Sequence, residues 1–303
     1  GISVHLHNVD VAPQGAGLGS VDVAIDCSPM SEVSTASTTA HTEENHVDES
    51  PRGIAVMVVV GVLVGLLSGL FGIGGGTIIV PALVWLGLTQ RHAAATSMLA
   101  IVPTSVSGVL AYAVEGNVDW IAALLMFLGM FIGGQIGSLL LSRLPEVVLR
   151  WAFVVFMAFI IASQLIFIPS RDSSIEFNLV TVLLMIVFGV LAGILAGLLG
   201  VGGGAICVPA LSILFGASDL IARGTSLLSM FPNAMTTTVA NVRRKMVHAK
   251  AGLIIGIVAA LTAPLGTWIA GAMSPRAGGI LFATYLTVLL IRSIWVALKV
   301  TRE

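Results

Sequence analysis

The chain has 303 residues, 57% of them hydrophobic and 10% charged, and a mean hydropathy of +1.04. Soluble domains carry roughly 25% charged residues, so an ordinary soluble fold is excluded, and a net charge of −1 gives nucleic acid nothing to bind. The two cysteines, Cys27 and Cys207, lie far apart in unlike settings, which excludes a disulfide framework and a zinc site.

Residues 1–50 are rich in Ser, Thr, Asp and Glu and contain no Lys or Arg. They hold too little apolar surface to fold alone and are expected to form a disordered acidic tail. His41, Glu43, Glu44, His46, Asp48 and Glu49 could bind a metal loosely, but the composition reads as a solvated tail. The tail shows no signal-peptide pattern. A start at Gly1 rather than Met is what a processed or trimmed product would show.

From residue 54 the chain becomes a series of apolar segments, several of them long enough to cross a bilayer core. In chain order they cover about 54–72, 76–88, 93–114, 119–141 and 147–168. After a linker at 169–178 come about 179–200, 204–216, 220–241, 250–273 and 277–298, then a short tail at 299–303. The second segment of each set is short. As a helix it rises only about 20 Å against a core of about 30 Å, so it is a half-crossing or one arm of a broken hairpin.

The two sets are copies of one unit, 54–168 and 179–298. GLFGIGGGTIIVP (69–81) recurs as GLLGVGGGAICVP (197–209), with nine of thirteen positions identical. Gly61, Gly65 and Gly69 fall on Gly189, Gly193 and Gly197 at an offset of 128, and ATSMLAIVP (95–103) falls on GTSLLSMFP (224–232) at 129. A duplicated membrane unit marks many secondary transporters.

Loop charges orient the copies, because cytoplasmic loops are enriched in Lys and Arg. EGNVD (115–119) carries two acids and no base, whereas the matching RRKMVHAK (243–250) carries Arg243, Arg244, Lys245 and Lys250. Arg143 and Arg150 mark the next loop of copy one as inside, against the single Arg276 of its counterpart. The expected fold is therefore an all-α polytopic membrane protein of two inverted repeats with glycine-interrupted helices. It should sit in the inner or plasma membrane with both termini cytoplasmic. A layout of parallel four-helix repeats is the rival, and the loop charges oppose it.

Each unsatisfied backbone group in hydrocarbon costs several kcal/mol, so a break survives only if buried in protein or facing a water-filled cavity. Glycine bends without steric penalty and admits a ligand close to the main chain. The helix restarting near Thr77 offers free N–H groups and the positive end of its dipole, an anion site. Gly74, Gly75, Gly76 and Thr77, with Gly202, Gly203 and Gly204, are thus candidate substrate-binding residues. Close helix packing explains the glycines spaced by four but explains three consecutive ones poorly.

Thr96, Ser97, Thr225 and Ser226 add hydroxyls that bond either helix carbonyls or a substrate. Asn233 could read a ligand oxygen or bridge two helices. Pro103 and Pro232 lie inside the third segments and are candidate hinges. Arg91 and Arg223 occupy roughly equivalent loop positions and are candidates to guide anions. Arg292, within the last segment, either snorkels to the inner surface or faces an anion path. Gln135 and Gln164 read as packing or helix-bridging residues. No Asp or Glu falls deep in a segment, whereas proton-coupled carriers usually show a buried carboxylate or His relay. No paired acids, Ser–His set or metal cluster appears among the segments, so an enzyme, a metal site and a cofactor are not expected.

At the two glycine breaks the chain resembles the TauE/SafE sulfite exporter family. GLFGIGGGTIIVPAL (69–83), GLLGVGGGAICVPAL (197–211), ATSMLAIVP and GTSLLSMFP carry the resemblance, which covers nearly all of residues 54–298. It implies an inner-membrane exporter of small sulfur-containing anions, such as sulfite or an organosulfonate like sulfoacetate. The partners expected are that anion and the lipid bilayer, with a homodimer as an allowed assembly. An anion channel that uses the breaks as a filter, or an importer of another small anion, is the alternative. Cysteines placed at Asn117 and Arg244 in sealed vesicles should react with an impermeant thiol reagent from opposite sides; labelling of both from one side would rule out inversion.

Overall fold

The computed structural model describes residues 50–166, 175 and 177–302. The acidic tail at 1–49, most of the 169–178 linker, and the side chains of Gln164 and Arg292 lie outside the described residues. Ten helices and no strand occur among the described residues, five helices per copy. Copy one contains α1 (Pro51–Phe71), α2 (Gly76–Trp85), α3 (Gln90–Val114), α4 (Trp120–Arg143) and α5 (Glu146–Ile166). Copy two contains α6 (Leu179–Leu199), α7 (Gly204–Ile213), α8 (Asp219–Arg243), α9 (Ala249–Ala272) and α10 (Pro275–Arg302). Six of them, α1, α3, α4, α6, α9 and α10, are long and apolar enough to span a bilayer. The protein is a polytopic, all-helical membrane protein.

Equivalent helices start on equivalent caps made from different residues. Ser50 caps α1 and Asn178 caps α6, accepting from Gly53 N and Thr181 N. Thr89 and Ser218 cap α3 and α8. Asp119 caps α4 by accepting from Ile121 N and Ala122 N, and the His248 ring takes its place at α9. Such caps satisfy amides that the helix itself cannot.

The large helix interfaces join one copy to the other: α4 with α6, α1 with α9, α3 with both α9 and α8, α4 with α8, and α5 with α10. Glycine makes the closest of them. Gly129, Gly133 and Gly137 of α4 face Gly189, Gly193 and Gly197 of α6, main chain against main chain. Gly61, Gly65 and Gly69 of α1 likewise admit Ile255–Val258, Ala259–Thr262 and Ala263–Thr267 of α9. Residue numbers rise together along both pairs, so their members run parallel. The same holds for α3 with α9, where Gly252 meets Thr96, Gly256 meets Ala100, and Ser107 Oγ donates to the Ala260 carbonyl. By contrast α3 and its counterpart α8 run antiparallel: Gly108 meets Leu227 and Tyr112 meets Gly224. The faces turned away from these interfaces expose large apolar side chains, among them Leu124, Phe131, Ile257, Leu261 and Trp268, as a lipid-facing surface does.

A methyl group at Gly65 would overlap Thr262 Oγ1 and the Ala259 carbonyl, whereas one at Gly271 meets nothing within 4 Å. Gly65→Ala should therefore lower thermal stability in detergent by about 1–3 kcal/mol, with Gly271→Ala within about 0.5 kcal/mol of the parent.

Candidate functional site

The two triple-glycine stretches are helix breaks with matching backbone geometry. α1 stops at Gly72 (φ 70°) and α6 at Gly200 (φ 69°). Gly74 and Gly75 (φ 72° and 79°) turn the chain into α2, as Gly202 and Gly203 (φ 79° and 92°) turn it into α7. A side chain at such φ is strained, so glycine is required at all six positions. Gly76 and Gly204 are the first residues of the short helices, and no side chain caps either N-terminus. Thr77 is buried in the first turn of α2.

The breaks lie against each other. A Cβ on Gly76 would strike the Gly200 carbonyl and Val201, and one on Gly204 would strike the Gly72 carbonyl and Ile73. The carbonyls that terminate α1 and α6 are met from the opposite copy: Ser226 Oγ donates to Gly72 O at 3.0 Å, and Ser97 Oγ donates to Gly200 O. Met230 and Ile101, counterparts at the 129 offset, fill the centre. Met230 Cε touches the Cβ positions of Gly74 and Gly202, its Sδ that of Gly204, and Ile101 packs beside it; both residues are fully buried.

Of the residues singled out in the sequence, the six central glycines, Thr77, Ser97 and Ser226 converge on the two breaks. Thr96 and Thr225 do not. Their hydroxyls accept from His248 N and Asp119 N, both at 2.9 Å, and so hold the loops entering α9 and α4. Asn233 lies one turn beyond Met230, fully buried on α8 against Gly134 of α4. α3 and α8 run through Pro103 and Pro232 as continuous helices.

The arginines depart from expectation. Arg91 and Arg223 are helical, and they are not equivalents, since Arg223 Cα abuts Gly72 where Ala94 Cα abuts Gly200. Arg91 Nη2 donates to Leu144 O at 2.8 Å, tying α3 to the start of α5. Arg223 is only 7% exposed; its Nη1 donates to Leu70 O at 2.7 Å and its Nη2 lies 3.5 Å from Asp219, itself 2% exposed. Asp219, the first residue of α8, is thus a buried carboxylate at a helix end, four residues before the arginine it pairs with. Tyr112 OH donates to Gly69 O at 2.7 Å, so Arg223 and Tyr112 together hold the last carbonyls of α1.

Sequence reasoning missed Met230, Ile101, Tyr112 and Asp219. The i,i+4 spacing of Asp219 and Arg223 was a readable signal. An apolar residue within an apolar segment carries none.

Six helices long and apolar enough to span a bilayer, with a short helix after a glycine break in each copy, define a polytopic membrane protein. The chain belongs to the sulfite exporter TauE/SafE family, whose model matches residues 57–293. It is similar to the probable membrane transporter protein YunE of Bacillus subtilis, 29% identical over 244 residues that cover 71% of this chain and 85% of YunE. A probable membrane transporter protein of Haemophilus influenzae is 32% identical over 52% of this chain and 62% of its own length. The probable membrane transporter protein YdhB of Bacillus subtilis is 36% identical over 31% of this chain and 39% of its own length.

Ser97→Ala and Ser226→Ala each leave a buried main-chain carbonyl without its cross-copy donor. Each should cost about 1–3 kcal/mol in thermal unfolding in detergent, and by similar amounts; a pair of silent variants would show that the hydroxyls do not hold the breaks.

Proposed function

We propose that the protein is a secondary transporter that exports small sulfur-containing anions, sulfite or an organosulfonate such as sulfoacetate, by alternating access. The observation that carries this reading is the meeting of two uncapped helix N-termini, α2 and α7, at abutting glycine breaks. Uncapped amides and the positive dipole ends of two half-helices suit a compact oxyanion. The family's description supplies the chemical class.

Gly74, Gly75, Gly76, Thr77, Gly202, Gly203 and Gly204 hold the substrate in this scheme, with Ser97, Ser226 and Asn233 at its edge. Thr96 and Thr225 brace the adjoining loops. The opposed run of α3 and α8 supports an inverted placement of the copies, and the Arg243–Lys245 loop then lies in the cytoplasm with both chain ends. In the tightly packed arrangement, Met230 and Ile101 occupy the space an anion needs, so substrate entry requires the copies to rock apart, with Pro103 and Pro232 as bending points. An inside-negative potential favours anion exit by about 2.3 kcal/mol per charge per 100 mV, enough to drive a uniporter with no coupling ion.

Counterflow of labelled sulfite, sulfoacetate, thiosulfate and a carboxylate into proteoliposomes tests the reading. Saturable exchange of the sulfur anions but not the carboxylate is expected, and fast non-saturable flux would indicate a channel. Gly75→Leu and Gly203→Leu should each abolish flux in protein that still inserts; normal flux in both would remove the site.

A further inference from the structure

The repeat is symmetric in its breaks and asymmetric beside them. On α8, Asn233, Thr237 and Asn241 recur every fourth residue, so they form one file on one helix face. All three are fully buried, and the file faces α4, where Gly134 leaves room for the heads of Asn233 and Thr237. At the far end Ser138 Oγ donates to Asn241 Oδ1 at 2.6 Å, and Arg244 Nη1 donates to Ser138 Oγ. Arg244 is exposed at the surface among Arg243 and Lys245. From Asn233 to Arg244 the file rises about 16 Å, linking the edge of the glycine breaks to the basic surface.

Much of this file is unmet. Both polar atoms of the Asn233 amide, Thr237 Oγ1 and Asn241 Nδ2 have no hydrogen-bond partner. Buried polar groups left so are costly and call for a reason. The mirror positions in copy one carry no such defect. Thr104 donates to Ala100 O, Gly108 has no side chain, and Tyr112 donates to Gly69 O. Glu115 stands where Arg244 does. Packing alone does not explain the difference, because the same helix pair in the other copy is satisfied with fewer polar atoms.

We propose that the Asn233–Thr237–Asn241 file is the route by which a small oxyanion moves between the basic face and the glycine breaks, with Arg244 as its mouth. The inference rests on the anion-transport reading above and adds a path and a side to it. Neutral amide and hydroxyl donors replace the anion's hydration in steps without trapping it, as a path must. The file's own charged residue, Arg244, sits at the basic face where the anion is first captured. When α4 and α8 part, the unmet groups gain a partner in the passing ion, and when they close, Ser138 reconnects Arg244 to Asn241.

The test starts from the chain with Cys27→Ser and Cys207→Ala and adds Thr237→Cys or Asn241→Cys. Sealed vesicles of each orientation are treated with 2-sulfonatoethyl methanethiosulfonate or its trimethylammonioethyl analogue. Both positions should react from the Arg243–Lys245 side, with the anionic reagent favoured by about tenfold after correction for intrinsic reactivity, as one nearby charge permits. Arg244→Gln should remove that preference. No reaction from that side, or equal reaction with both reagents, would overturn the proposal. In proteoliposomes Asn241→Asp should cut sulfite flux by about tenfold or more relative to the parent; unchanged flux would count against the route. Failure of the parent to carry sulfite, with the labelling pattern intact, would remove the substrate reading and leave the route standing.

Discussion

Within hydrocarbon every backbone amide and carbonyl must find its partner inside the protein, and this constraint shapes the fold around its two interrupted helices. A helix that stops at Gly72 or Gly200 leaves carbonyls with no intrahelical donor. For the Gly72 and Gly200 carbonyls the donor comes from the opposite copy. The hydroxyl that meets Gly72 belongs to Ser226 in copy two, and the one that meets Gly200 belongs to Ser97 in copy one. The main chain at each break also lies directly on the other, so the two are tolerable only as a pair. Glycine at the contact positions is what lets two backbones come that close.

On this symmetric frame the two copies carry unlike polar fittings. Copy one's α1 ends under a clamp of Arg223 and Tyr112, backed by Asp219. The α6 end has Ala94 where α1 has Arg223, and Asn241 where α1 has Tyr112. One break is thus held by charge and hydrogen bonds, and the other borders a file of unmet amides and hydroxyls. The duplicated unit provides the paired breaks, and the substitutions between copies provide the difference.

Much of the architecture was legible because glycine and proline are informative in an apolar chain. The triple glycines marked the breaks to the residue, and the offset of 128–129 paired every later element with its twin. The chemistry of the site was harder to read. Thr96 and Thr225 looked like substrate ligands next to Ser97 and Ser226, yet successive helix positions point about 100° apart, so one hydroxyl of each pair met a break and the other a loop. Arg223 was read as a loop residue although it lies in the first turns of α8, which starts at Asp219. Met230 and Ile101 could not be found from pattern, as their role comes from volume at a contact between copies.

The exchange of partners between copies also governs how the chain comes into being. Gly61 of α1 packs near Gly256's neighbours on α9, almost two hundred positions downstream. At about 5–20 residues per second of synthesis, α1 waits roughly 10–40 s before its closest neighbour emerges from the ribosome. During that interval its glycine stripe and the open end at Gly72 face lipid or an insertion chaperone, and the first copy alone cannot reach its mature form. The packing of α1 is therefore completed only after most of the second copy has been made.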